Sequence, residues 1–212
     1  MVLTTSTLTK SICLAMLLPN SIATTSPTEA SNSASASATF TATATCSDAS
    51  SGQTPTLQVI SSDENVATVA VSGNTVTTTF VEANNDIDKK QVVITVEAKV
   101  GGNVVATETV TVYQKACALT IAPPTITADA TSINLEVTSP SSDLHDKAIT
   151  ITAKKDGSDF TDFTVGAATY DSSKTTIPIT LTTAATSGEK YQFTVKINDA
   201  EGSTSELTVP AP

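Results

Sequence analysis

The sequence predicts an all-β protein of two small sandwiches in tandem behind a flexible N-terminal arm. Apolar residues recur at every second position in run after run, and those runs are short and bounded by Gly, Asn, Asp or Pro. No stretch sustains a helical period near 3.6, except a short piece over residues 8–18. Composition points the same way. Threonine makes up about a fifth of the 212 residues, which suits pleated, half-buried strands. Charged residues are 15% of the chain, well under the roughly 25% usual for globular proteins. Aromatics are only 4%, with no Trp, so both cores must be small and filled mainly by Val, Ile, Leu and Ala.

The arm covers residues 1–37. An apolar run over residues 12–18, including Ile12, Leu14, Leu17 and Leu18, is followed by Ser21-Ile22-Ala23. The run is far too short to span a membrane. It reads either as the core of a secretory leader cut near Ala23 or as a retained docking segment. Residues 22–38 are mostly Ser, Thr, Ala and Asn and read as a linker without a core of its own.

The first domain is expected over 38–122. Phe40, Ala42 and Ala44 alternate with threonines, then come strands at 57–60, 66–71, 76–81, 92–100 and 104–113. Ser72-Gly73-Asn74 and Gly101-Gly102 are tight turns that need positive φ. Pro123-Pro124 marks a stiff junction, and a second domain follows over 123–212 with strands at 133–137, 149–153, 160–165, 175–181, 191–197 and 207–209. Lys155-Asp156-Gly157 and Asp199-Ala200-Glu201-Gly202 are its turns.

The chemistry-bearing residues are few. All eleven basic residues are Lys and the formal net charge is −10. Such a chain repels phosphate backbones and lacks the guanidinium fork that reads guanine, so nucleic acid is not an expected partner. The three cysteines, Cys13, Cys46 and Cys117, include no C-x-x-C pair and predict no zinc site. Cys46 and Cys117 fall at the first and last strands of the first domain. They are either a disulfide between neighbouring end strands or two small buried hydrophobes. His145, the single histidine, lies in an acidic loop and reads as solvated rather than catalytic. Asn84-Asn85-Asp86-Ile87-Asp88 carries oxygens that suit Ca²⁺, but Asx-rich loops mostly make turns, and no metal or other cofactor is expected. No phosphate-binding loop, H-E-x-x-H or G-x-S-x-G motif occurs, and the chain is not expected to be an enzyme.

Two stretches carry family resemblances. Ile60-Ser61-Ser62-Asp63-Glu64-Asn65-Val66-Ala67-Thr68-Val69, followed by a turn at Gly73, resembles the bacterial immunoglobulin-like repeat of the intimin and invasin group. Gly188-Glu189-Lys190-Tyr191-Gln192-Phe193-Thr194-Val195-Lys196-Ile197 resembles the late strands of a fibronectin type III domain. The resemblance implies two immunoglobulin-like sandwiches. It also places Tyr191 at a tyrosine corner, buried with its hydroxyl bonded to nearby main chain.

Modules of this kind occur on phage capsids and tails and on bacterial surfaces. They imply a structural accessory protein on a virion surface, a capsid decoration or head-fibre protein. It would dock on capsid or other virion proteins through the arm, as several copies in one assembly. The alternative is a secreted bacterial or archaeal protein at the cell surface, an adhesin or pilus-like subunit with its leader removed. In either setting sandwich loops such as 100–104 are where a host-surface or carbohydrate receptor would be met.

Overall fold

The computed structural model describes residues 20–45, 54–140, 144–171 and 174–212, and among these every regular element is a β-strand. The first sandwich is built from β1 (Ser21–Thr24), β2 (Ser37–Thr45), β3 (Thr56–Ser61), β4 (Ala67–Ser72), β5 (Thr75–Phe80), β6 (Lys90–Val100) and β7 (Asn103–Gln114). One sheet runs β1-β2-β5-β4 and the other β3-β6-β7, all antiparallel. Alternation decides which side chains go in. Ala38, Phe40 and Ala42 of β2, Val76 and Phe80 of β5, Ile94 and Val96 of β6, and Val112 of β7 are buried between the sheets. Gly73 sits at φ 56°, and Gly101 and Gly102 at φ 58° and 86°, so the two predicted hairpin turns fall where the glycines permit them.

The linker expected over residues 22–38 is instead part of this sandwich. β1 pairs with β2 from Ser21–Thr45 to Thr24–Ala42. Beyond it the Thr25 and Thr28 N–H groups donate to the Thr41 and Thr39 carbonyls at 3.0 and 2.9 Å. Ala30 then crosses to the other sheet and bridges Gln114 of β7 in parallel. The segment has hardly any large apolar side chains because it needs few. Main-chain pairing does most of the holding, with Ala30 and Ala38 buried and Ile22 and Ala36 packed against the core.

The second sandwich comprises β8 (Thr120–Ala122), β9 (Ser132–Thr138), β10 (Ile149–Lys155), β11 (Ser158–Phe160), β12 (Phe163–Val165), β13 (Thr169–Asp171), β14 (Lys174–Leu181), β15 (Lys190–Ile197), β16 (Ala200–Ser203) and β17 (Leu207–Thr208). Its sheets run β11-β10-β15-β16, with β17 also on β15, and β12-β14-β9-β8, with β13 also on β14. Ile133, Leu135, Val137, Ile177, Ile179, Phe193, Val195 and Ile197 fill the space between them.

Three expectations shift here. The junction lies before Thr120, not at Pro123-Pro124, because β8 pairs with β9 of the second sandwich. The expected strand over 160–165 is two, β11 and β12, which lie in different sheets. The turn expected over 199–202 is Asn198-Asp199, with Asn198 at φ 52° and residues from Ala200 on already in β16. Pro178 explains a further break. Its carbonyl accepts the Gly166 N–H at 2.8 Å, so the N–H that proline lacks would face the same side. There β12 and β13 pair with β14 on either side of Pro178 but not across it.

The register also fixes where the ends lie. Ser21 pairs with Thr45 at the pole of the first sandwich farthest from the junction, since Ala30 and Gln114 mark the near pole. In the second sandwich Ile197 and Ala200 lie at the junction, whereas Tyr191 and Leu207 lie at the far end of the same ladder. The chain therefore enters at one pole and leaves at the other.

Candidate functional site

The docking residues Ile12, Leu14, Leu17 and Leu18, together with Cys13 and Cys46, lie outside the described residues. Cys117 is not in the last strand of the first sandwich, because β7 ends at Gln114. It sits in the connecting segment, 2% exposed, within the apolar cluster of the second sandwich.

Tyr191 is the second residue of β15 and is 1% exposed. Its hydroxyl donates to the Glu189 carboxylate at 2.8 Å rather than to main chain. The same carboxylate oxygen accepts the Thr186 N–H at 2.9 Å, and the other oxygen is 2.6 Å from Lys155 Nζ. Lys155 lies 5.7 Å from the Tyr191 ring centroid, and Phe160 meets that ring edge-on at 5.7 Å. The Lys155 ammonium, then the Thr186 amide, hold the Glu189 carboxyl down from 4.5 to about 2. Burial and the neighbouring Glu189 charge push the Tyr191 hydroxyl up. The acceptor differs from the expected one because Glu189, two residues ahead, already reaches the ring's end. This is a polar cap closing the far pole of the second core.

His145 is exposed, its Nδ1 3.0 Å from the Asp146 carboxylate and its ring 4.5 Å from that of Tyr170. In the acidic loop, Asn84 is 1% exposed and its amide donates to the Asp88 and Lys115 carbonyls at 2.8 and 3.0 Å. Its oxygen accepts the Asp86 N–H, and Asp86 accepts the Ile87 N–H. Of the oxygens that suggested Ca²⁺, those of Asn84 and Asp86 accept N–H groups of their own loop, whereas the Asp88 carboxylate accepts the Asn198 amide. Among the described residues no group of three or more His, Cys, Asp or Glu is placed to hold a metal ion. Val104, beside the Gly101-Gly102 turn, is 47% exposed at the pole where the chain enters.

The larger concavities among the described residues are a junction hollow and a surface groove. One of about 420 Å³ lies at the junction, lined by Glu29, Lys89, Lys115, Lys196, Asp199 and Glu201. Lys89 pairs with Glu29 at 2.8 Å, which raises its pKa. The other, of about 500 Å³, is an open groove over Ile151, Ala153, Phe160 and Phe163. The residue that sequence reasoning missed is Ile87, which is 1% exposed and belongs to the core of the second sandwich rather than the first. Its signal was available: one large apolar residue in a loop otherwise made of Asn and Asp.

No family model and no curated protein sequence matches the chain. Solved structures do. The adhesin InvE of Yersinia pseudotuberculosis is 14% identical over 91% of this chain and 59% of its own, with a TM-score of 0.32. The N-terminal eight immunoglobulin domains of the Down syndrome cell adhesion molecule are 12% identical over 89% of this chain and 24% of theirs, at 0.45. Domains 4–9 of the surface-layer protein SbsC are 19% identical over 91% of this chain and 31% of theirs, at 0.30. The chain thus spans less than two thirds of each, from 24% to 59%. With identities and TM-scores this low, the assignment rests on the strand pairing itself: two immunoglobulin-like sandwiches in tandem.

Proposed function

We propose that the chain is a non-enzymatic structural protein of a surface, held to a larger assembly by the residues ahead of Ser21 and projecting its two sandwiches outward. One observation carries this reading: the chain enters at one pole and leaves at the other, so attachment at the N-terminus sets the sandwiches end to end away from the attachment point. The finer reading is a virion accessory, a capsid decoration or head-fibre protein docked through Ile12, Leu14, Leu17 and Leu18. The loops of the outer sandwich are then available to a host-surface or carbohydrate receptor.

The secreted cell-surface reading requires a leader to be cut near Ala23. β1 argues against that cut, because Ser21, Ile22 and Ala23 pair with Thr45, Ala44 and Thr43 and would be lost. Intact mass of the protein from its natural source tests the choice. A chain keeping the residues ahead of Ser21 supports the docking arm. A mature chain beginning at Thr24 sinks it and leaves the secreted surface protein.

A further inference from the structure

Tandem sandwiches joined by a short segment move relative to one another unless their interface is large or apolar. We propose that the loop 84–88 is a key that locks the second sandwich to the first, so that the two orient and unfold as one body. The loop is made rigid on its own side. Asn84 bridges the Asp88 and Lys115 carbonyls, tying the loop to the connecting segment. From that base Ile87 enters the cluster that contains Leu119, Phe193, Ile197 and Ala200. A solitary isoleucine among Asn and Asp has no core in the first sandwich to serve.

Polar contacts surround this insertion and fix its angle. The Asp199 N–H donates to the Ile87 carbonyl at 3.0 Å, and the Cys117 N–H to the Asp86 carbonyl at 2.8 Å. The Lys89 N–H donates to the Asp199 carboxylate at 3.2 Å, and the Asn198 amide to the Asp88 carboxylate at 2.9 Å. The connecting segment itself is stitched to β16. The Leu119 N–H donates to the Glu201 carbonyl at 3.0 Å, and Ala118 bridges Glu201 in parallel. Gly202 makes this approach possible, since a Cβ there would stand 2.2 Å from the Leu119 carbonyl oxygen. The Asn198-Asp199 turn is thereby held by the first sandwich, and the start of β16 that follows it by the connecting segment.

Residual dipolar couplings and calorimetry on the full chain test the lock. The expected result is one alignment tensor shared by both sandwiches and one calorimetric transition. Two different tensors in the unaltered protein would overturn the proposal. Ile87→Ser should split the tensors, and should lower the melting of the second sandwich while the signals of the first stay in place. Should Ile87→Ser instead unfold the second sandwich outright with the first intact, the dependence is shown directly, and Ile87→Val should restore the shared tensor. Ile87→Ser with unchanged tensors and unchanged melting would overturn the lock.

Discussion

The two sandwiches solve one packing problem with different materials. The first fills much of its core with alanine, at Ala30, Ala38, Ala42 and Ala67, beside Phe40 and Phe80. Its longest strands, with 11 residues in β6 and 12 in β7, pair along their whole length with a single register shift between Ala98 and Lys99. The second has four strands of only three residues, β8, β11, β12 and β13. Its ladder is interrupted at Pro178 and where the chain changes sheets between Phe160 and Phe163. Rings gather at that side: Phe160 stands 5.9 Å from Phe163, and Tyr191 6.3 Å from Phe193. Where main-chain pairing is broken, side-chain volume takes over the work of holding the sheets together.

The largest test of this contrast is Phe193→Ala. Phe193 is fully buried, and its loss should destabilise the protein by about 3–5 kcal/mol in denaturant unfolding, as ring-to-alanine changes in cores do. Val76→Ala, at an equally buried site of the first sandwich, should cost less than half of that. Equal costs would dissolve the distinction.

A smaller effect comes from the Glu189 cap. Its carboxyl is lowered from 4.5 to about 2 in the folded protein, so its stabilising contribution is complete above about pH 4.5 and is lost as pH falls toward 2. Glu189→Gln should therefore cost about 1–2 kcal/mol at pH 7, part of the full linkage value being lost because the group is partly solvated. It should cost almost nothing near pH 2. A difference between variant and parent that does not shrink on acidification would show that the cap acts by shape instead of charge.

The smallest test lies in the first sandwich. The hydroxyl of Thr78 is buried without a hydrogen-bond partner. Thr78→Val keeps the shape and removes that unsatisfied group, so it should stabilise by up to about 1 kcal/mol. A loss of stability would mean that the hydroxyl has a partner, a bound water for example.

Most of the fold was legible because alternation and turn glycines are local signals. The paired runs 92–100 and 104–113 around Gly101-Gly102 needed nothing beyond their own residues to be read as β6 and β7. β1 was illegible for the opposite reason. An edge segment held largely by its main chain, with Ile22 and a few alanines against the core, has the same composition as a linker. The split at Phe160–Phe163 was hidden because each half alternates correctly, and only the positions of two sheets show that the chain changes partner. At the site, Tyr191 was readable from its turn and flanking strand, whereas its acceptor Glu189 was not, since a carboxylate before a strand usually faces water. Ile87 was visible as an anomaly, but its destination depends on a turn more than a hundred residues later.

The parallel bridge between Ala30 and Gln114 has a mechanical consequence. Tension between the two ends of the chain enters the first sandwich at Ser21 and leaves it through Lys115, along the direction of the strands. The Ala30 N–H to Tyr113 carbonyl bond and the Lys115 N–H to Ala30 carbonyl bond, both 3.0 Å, lie across that direction, as do the bonds between β1 and β2. Pulling therefore shears these bonds all together instead of unzipping them one by one. The stretch of Ser, Thr and Ala that looks least like structure is the first part of the sandwich to bear load.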